Sequence, residues 1–152
     1  MAGTENKGFE SSLEGLFNGK KWVITVPKEN LNDNGYLLEI IRYLGAKPVF
    51  TTPKEHDRAV ALISHMPMVI AQGLMYAAKD NKLALEIASS GFRDMTRLAL
   101  SNEEMACDMV SMNHENIEQA ILKLYKSIGE LTCGNYPETI SELKNIRQGM
   151  FI

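Results

Sequence analysis

The sequence has no Cys-x-x-Cys pair, no Gly-x-Gly-x-x-Gly, no Walker A or Gly-x-Ser-x-Gly word, no block of Lys and Arg, and no bilayer-length apolar run. Each absence excludes something. Cys107 and Cys133 are the only cysteines, and their spacing fits neither a metal site nor a redox pair, so a reduced, cytoplasmic setting is expected. With 16 Lys and Arg against 19 Asp and Glu, the net charge is −3, and nucleic acid is not an expected partner. The segment Met1 to Lys20 is polar and rich in glycine, without the apolar core of a signal peptide. The longest apolar stretch, Met66 to Ala78, is interrupted by Pro67, Gln72 and Gly73 and is too short to span a bilayer, so no membrane is expected. Only three histidines are present, and His56 and His65 are nine residues apart, on opposite faces of a straight helix; no metal is expected.

What is there is ordinary globular material: 152 residues, 45% hydrophobic and 23% charged, enough for one domain or one and a half small ones. Trp22 to Val26 and Pro48 to Thr51 read as short strands. Between them, Tyr36, Leu37, Ile40, Ile41 and Leu44 fall on one helical face, with Asn32 or Asp33 as N-cap and Gly45 as a left-handed stop. That strand–helix–strand unit is a piece of a parallel α/β sheet, too small to stand alone.

From Thr52 onward the pattern is helical almost to the end. Thr52-Pro53-Lys54-Glu55 has the form of a capping box with proline at the first helical position. The helix it opens is expected to run to about Ala78, with a kink where Pro67 leaves the Ile63 carbonyl without a donor. Lys79-Asp80-Asn81 reads as a turn before a second helix ending near Gly91, and Ser101-Asn102-Glu103-Glu104 as another capping-box start. Asn113 or His114 is expected to interrupt the next helix. Ile117, Ile121, Leu124, Ile128 and Leu131 then make a heptad seam, which predicts a helical partner and hence a dimer. A loop over Thr132 to Pro137 precedes a last helix from Glu138 with Ile140, Leu143 and Ile146.

Two words bring ionisable groups among apolar residues. In Ser64-His65-Met66-Pro67, His65 is either a core histidine bonded to a backbone carbonyl or a group that meets a ligand at the kink. In Gly91-Phe92-Arg93-Asp94-Met95-Thr96-Arg97, Gly91 allows a break, Arg93 and Arg97 share a helical face, and Asp94 can orient one of them. The segment is either a solvated, salt-bridged turn or an Arg fork for a carboxylate. His56 beside Asp57 reads as a solvated helix start, and His114 as a surface or cap residue. Gly3 and Thr4 could present amides to an anion or form part of a frayed terminus.

The order MAGTENKGFESSLEGLF, KKWVITVP, PKEHDRAVALISHMP, GFRDMTRLALSNEEM resembles the prephenate dehydrogenases and the closely related arogenate dehydrogenases, from Met1 to about Ile128. The resemblance implies a mainly α fold: an all-helical substrate-binding and dimerisation domain over 53–152, preceded over 1–52 by a short strand–helix–strand remnant of an α/β dinucleotide-binding domain. It implies oxidative decarboxylation of prephenate to 4-hydroxyphenylpyruvate, in tyrosine biosynthesis, with NAD or NADP in the full-length family. By this resemblance Arg97 binds a substrate carboxylate, Asp94 supports it, His65 lines the substrate or tyrosine pocket, and Thr4 and Glu5 border the site. The implied partners are a second copy of the chain and prephenate, arogenate or tyrosine.

The departures from the family are specific. The family's catalytic His stands in a His-Pro just before the Met-Ala-Gly-Thr-Glu word, and here that word opens the sequence. The phosphate loop is absent as well, and Ala106 and Cys107 stand where the family often has Trp and Arg. The chain alone is therefore expected to bind no cofactor and turn over no prephenate, either as a shortened dehydrogenase or as a stand-alone helical module sensing tyrosine or prephenate.

Overall fold

The computed structural model describes residues 8–26, 35–134 and 136–150. After a 3₁₀ turn at Phe9–Ser11, strand β1 (Lys21–Ile24), helix α1 (Gly35–Tyr43) and strand β2 (Lys47–Phe50) form the expected unit. The strands pair in parallel, with Trp22 opposite Pro48 and Ile24 opposite Phe50. Ile24, Ile41 and Ala46 are its core, with Phe17, Trp22, Val26 and Leu38 packed around them. Helix α1 ends as expected. Gly45 takes φ 73°, its N–H donates to the Arg42 carbonyl, and the Ala46 N–H donates to the Ile41 carbonyl. A Cβ on Gly45 would lie 2.8 Å from Asn18 Oδ1, so glycine is required there. The Asn32 or Asp33 cap lies outside the described residues.

The remainder is helical: α2 (Pro53–Val60), a π segment (Ala61–His65), α3 (Met66–Ala78), α4 (Lys82–Glu86), α5 (Ser90–Thr96), a 3₁₀ turn (Arg97–Leu100), α6 (Glu103–Met112), α7 (His114–Cys133) and α8 (Tyr136–Gly149). The capping box opens α2 as expected: the Thr52 hydroxyl accepts from the Glu55 N–H and the Glu55 carboxylate accepts from the Thr52 N–H, both at 3.2 Å. The break attributed to Pro67 takes the form of the π segment just upstream. There the Met66 N–H donates to the Ala61 carbonyl, five residues back, so the ladder has changed register before the proline that cannot donate.

With the π segment counted, Pro53–Ala78 is one helix of 26 residues, long and apolar enough by length and composition to cross a membrane. The apolar run considered in the sequence was only its second half. In this fold the helix is central: α7 packs on the π segment and α3, and α5 and the 3₁₀ turn pack on α3. Ala61, Ile117 and Ala120 are buried together, small residues allowing the two long helices to approach closely, with Met66, Val69 and Val110 around them.

Three local expectations are corrected. Gly91 is not the break; it is the second residue of α5, and the chain turns at Ile87–Ser89, where Ile87 caps α4 in the bridge region. Ser101 does not open a capping box. Its hydroxyl donates back to the Leu98 carbonyl at 2.7 Å, closing the 3₁₀ turn, while Asn102 caps α6 by accepting from the Met105 N–H at 2.9 Å. The loop over Thr132 to Pro137 is shorter than expected, because α7 reaches Cys133 and α8 starts at Tyr136, with Pro137 tolerated in its first turn.

The heptad seam lies along α7, but within one chain only Ile117 of the seam is buried. Ile121 is 37% exposed and Ile128 51%. Helix α8 buries nothing, and Ile140, Leu143 and Ile146 are all exposed. An apolar surface of this size and regularity is the kind that a protein partner covers.

Candidate ligand cavity and the His65 cluster

Helices α3 and α5 and the 3₁₀ turn enclose an open cavity of about 770 Å³. Gln72, Met75, Tyr76 and Lys79 come from α3, Arg93, Asp94 and Thr96 from α5, and Arg97, Ala99 and Leu100 from the turn. The turn follows from Thr96, which is buried and donates its hydroxyl to the Phe92 carbonyl at 2.7 Å. That bond back into the preceding helical turn satisfies the side chain locally and accompanies the tightening into 3₁₀ geometry.

Three cations and one carboxylate face this otherwise apolar space. Arg93 Nε lies 3.6 Å from Asp94 Oδ1, with both side chains mostly in solvent, so that pair is weak. Lys79 Nζ sits 3.9 Å above the Tyr76 ring, a cation–π contact at the rim. Arg97 makes no ion pair among the described residues. The arrangement can take an apolar ring body with anionic ends, one of them on the Arg97 fork.

His65 is not among the lining residues. It lies seven residues before Gln72 on the same face of the helix, about 10 Å along the axis. Its ring belongs to a different cluster. Asn113, 8% exposed, is the single residue between α6 and α7. Its Nδ2 donates to the Asp57 carbonyl at 2.8 Å and stands 3.1 Å from His65 Nδ1, while its Oδ1 accepts from Asn116 Nδ2 at 2.7 Å. Partial burial lowers the His65 pKa below the ordinary histidine value; the nearby His56 adds to this, and Asp57 partly offsets it.

Of the residues singled out from sequence, the structure therefore brings Arg93, Asp94 and Arg97 to one cavity and leaves His65 two turns away. Thr4 and Glu5 lie outside the described residues. His56 Nδ1 is 3.1 Å from Asp57 Oδ1 at the start of α2, and His114 is exposed at the start of α7. Lys79, Tyr76 and Gln72 were not singled out in the sequence; their i, i+4, i+7 spacing on α3 is the signal that would have found them. Asn113 was read only as an interruption, although a polar residue at a one-residue junction between apolar helices has few places to go but inward.

The segment between β1 and α1, Thr25 to Asn34, contains no glycine and so is not a glycine-rich phosphate loop.

A helical unit built on one long central helix, with an open cavity on it, follows a parallel strand–helix–strand; the class is a mainly α fold with a short α/β element before it. Residues 52–136 match the family model described as prephenate dehydrogenase, dimerization domain, and the chain belongs to this family. It is 28% identical to the prephenate dehydrogenase of Lactococcus lactis over 100% of this chain and 44% of that protein. It is 29% identical to that of Bacillus subtilis over 77% of this chain and 33% of that protein. It thus spans less than half the length of these curated relatives. Among solved structures, the arogenate dehydrogenase of Synechocystis matches with a TM-score of 0.73 and 29% identity, over 97% of this chain and 56% of that one. The prephenate dehydrogenase of A. aeolicus, solved with hydroxyphenyl propionate and NAD+, matches at 0.72 and 27%, over 98% and 55%.

Proposed function

We propose that this chain supplies the substrate-binding and dimerising part of a cytoplasmic prephenate dehydrogenase, acting in the oxidative decarboxylation of prephenate on the way to tyrosine. Residues 53–152 are the binding and dimerisation unit, and residues 1–52 are the edge of the α/β domain that precedes it. The observation that carries this reading is the Arg97 guanidinium, without an ion pair among the described residues, on an apolar cavity whose cations outnumber its carboxylates. Prephenate carries two carboxylates, one on its small ring and one at the end of the pyruvyl side chain on the same ring carbon. Arg97 takes one of them bidentately, Lys79 attracts the other from the rim, and Met75 and Leu100 pack the ring. Asp94 keeps Arg93 occupied. Thr4 and Glu5 are proposed to border the same site. NAD or NADP would be held outside the residues described here, so this chain by itself binds substrate without turning it over.

The exposed seam on α7 and the apolar positions of α8 support a homodimer formed through these helices. Calorimetric titration of the purified chain with prephenate, arogenate and tyrosine tests the reading. Prephenate should bind, and Arg97→Ala should weaken it about tenfold or more, the scale of a lost charge-assisted hydrogen-bond pair. Absence of heat with all three, or equal affinity in the variant, would overturn it. Heat with tyrosine alone would favour a regulatory module.

A further inference from the structure

We infer that Asn113 is a positioning residue for His65: it holds the neutral imidazole as the Nε2–H tautomer, so that Nε2 is a hydrogen-bond donor and not a base. The Asp57 carbonyl can only accept. The Asn113 atom 2.8 Å from it is therefore the amide nitrogen, not the oxygen. The opposite end of the same amide accepts from Asn116 at 2.7 Å, which agrees with that orientation. An amide nitrogen carries two hydrogens. One goes to Asp57, and the second is directed to His65 Nδ1 at 3.1 Å. That ring nitrogen must then carry a lone pair, and the proton of the neutral ring sits on Nε2. Reversing the tautomer would set an N–H against an N–H. Turning the Asn113 amide to relieve this would break the bonds to Asp57 and Asn116 together.

The consequence for ligands rests on the functional reading above. A neutral imidazole with its proton on Nε2 has no lone pair at that atom, so it can take no proton there. It can donate to a ligand carbonyl, hydroxyl or carboxylate oxygen. Asn113 touches no ligand itself; its effect runs through the histidine.

The tautomer is measurable without any ligand, by long-range nitrogen–proton correlation NMR of the histidine-labelled chain at about pH 8, above the ordinary histidine range. His65 should show a bare Nδ1 and a protonated Nε2 as a single locked form, whereas the exposed His114 shows the averaged mixture of a free side chain. In Asn113→Asp the carboxylate accepts from the ring, and the proton should move to Nδ1. A wild-type His65 that is averaged like His114, or protonated on Nδ1, overturns the inference even if the variant does not fold. A folded Asn113→Asp whose His65 stays Nε2–H overturns it as well. Adding prephenate then separates the two readings. Binding that depends on Arg97 but leaves the His65 Nε2 resonance unmoved overturns the donor role alone. Failure to bind overturns the functional reading and the donor role together, while the tautomer stands or falls on the first spectrum.

Discussion

His65 and Arg97 sit on two elements that both adjoin α3 and are held in opposite ways. His65 is tied to a buried amide that also closes on the Asp57 carbonyl and on Asn116, so its cluster joins α2, the π segment and the α6–α7 junction. Arg97 stands on a short 3₁₀ turn, exposed, with no ion pair among the described residues. The first arrangement stabilises the fold and favours one tautomer of the neutral ring. The second contributes little to the fold and leaves its donors for something else. Polar groups that a protein needs for its own architecture are satisfied internally, and those it presents to ligands are left open. The contrast separates a word whose histidine is tied into the fold from one whose Arg97 is left open.

Substitutions should separate the two. The largest effect on stability is expected for Asn113→Ala. It strands a carbonyl and an amide and removes three hydrogen bonds, and should cost about 2–3 kcal/mol, read as a lower urea midpoint with an unchanged slope. Arg97→Ala should leave stability within about 0.5 kcal/mol while removing at least about 1.4 kcal/mol of prephenate binding, a split that only a presented group gives. Ile128→Glu should leave the monomer folded and weaken self-association by about 1–2 kcal/mol, because burying an unpaired charge in the seam opposes pairing; sedimentation at several concentrations reads it. The depressed His65 pKa carries a definite sign. The unfolded chain binds a proton more readily than the folded one, so stability is full above the ordinary value of 6.5 and falls as the pH drops from there toward the lowered folded value. Denaturant midpoints across that range should show the loss, and His65→Gln should flatten it. Smallest of all is Asp94→Asn: it breaks a pair whose side chains are 80% and 74% exposed and should change stability by less than about 0.5 kcal/mol.

How much of this was legible in the sequence depends on how local the cause was. The Thr52–Glu55 capping box and the Gly45 stop were readable because each is decided within six residues, and the strand–helix–strand because each of its elements carries its own local pattern. The order of the His and Arg words together with the Gly-Thr-Glu and His-Asp words was also readable, and that combination carried the family resemblance. The π segment was only half visible: Pro67 announces a missing donor, but which upstream turn widens depends on how α7 packs against Ala61. Gly91 misled because glycine permits a break without requiring one, and here the turn is made by Ile87 to Ser89. Nothing in the spacing could show that the amide of Asn113 closes on His65, since 48 residues separate them. The separation of His65 from the Arg97 cavity was hidden for the same reason, and it turned one expected pocket into a cavity and a neighbouring cluster.

The central claim is that the cavity between α3 and the Arg97 turn is where this chain meets its carboxylate ligand. Backbone NMR of the chain titrated with prephenate tests this most directly. Shifts should concentrate on Gln72, Tyr76, Thr96, Arg97 and Leu100 and disappear in Arg97→Ala. Shifts confined to α7 and α8, or a map at the cavity that survives Arg97→Ala unchanged, would contradict it.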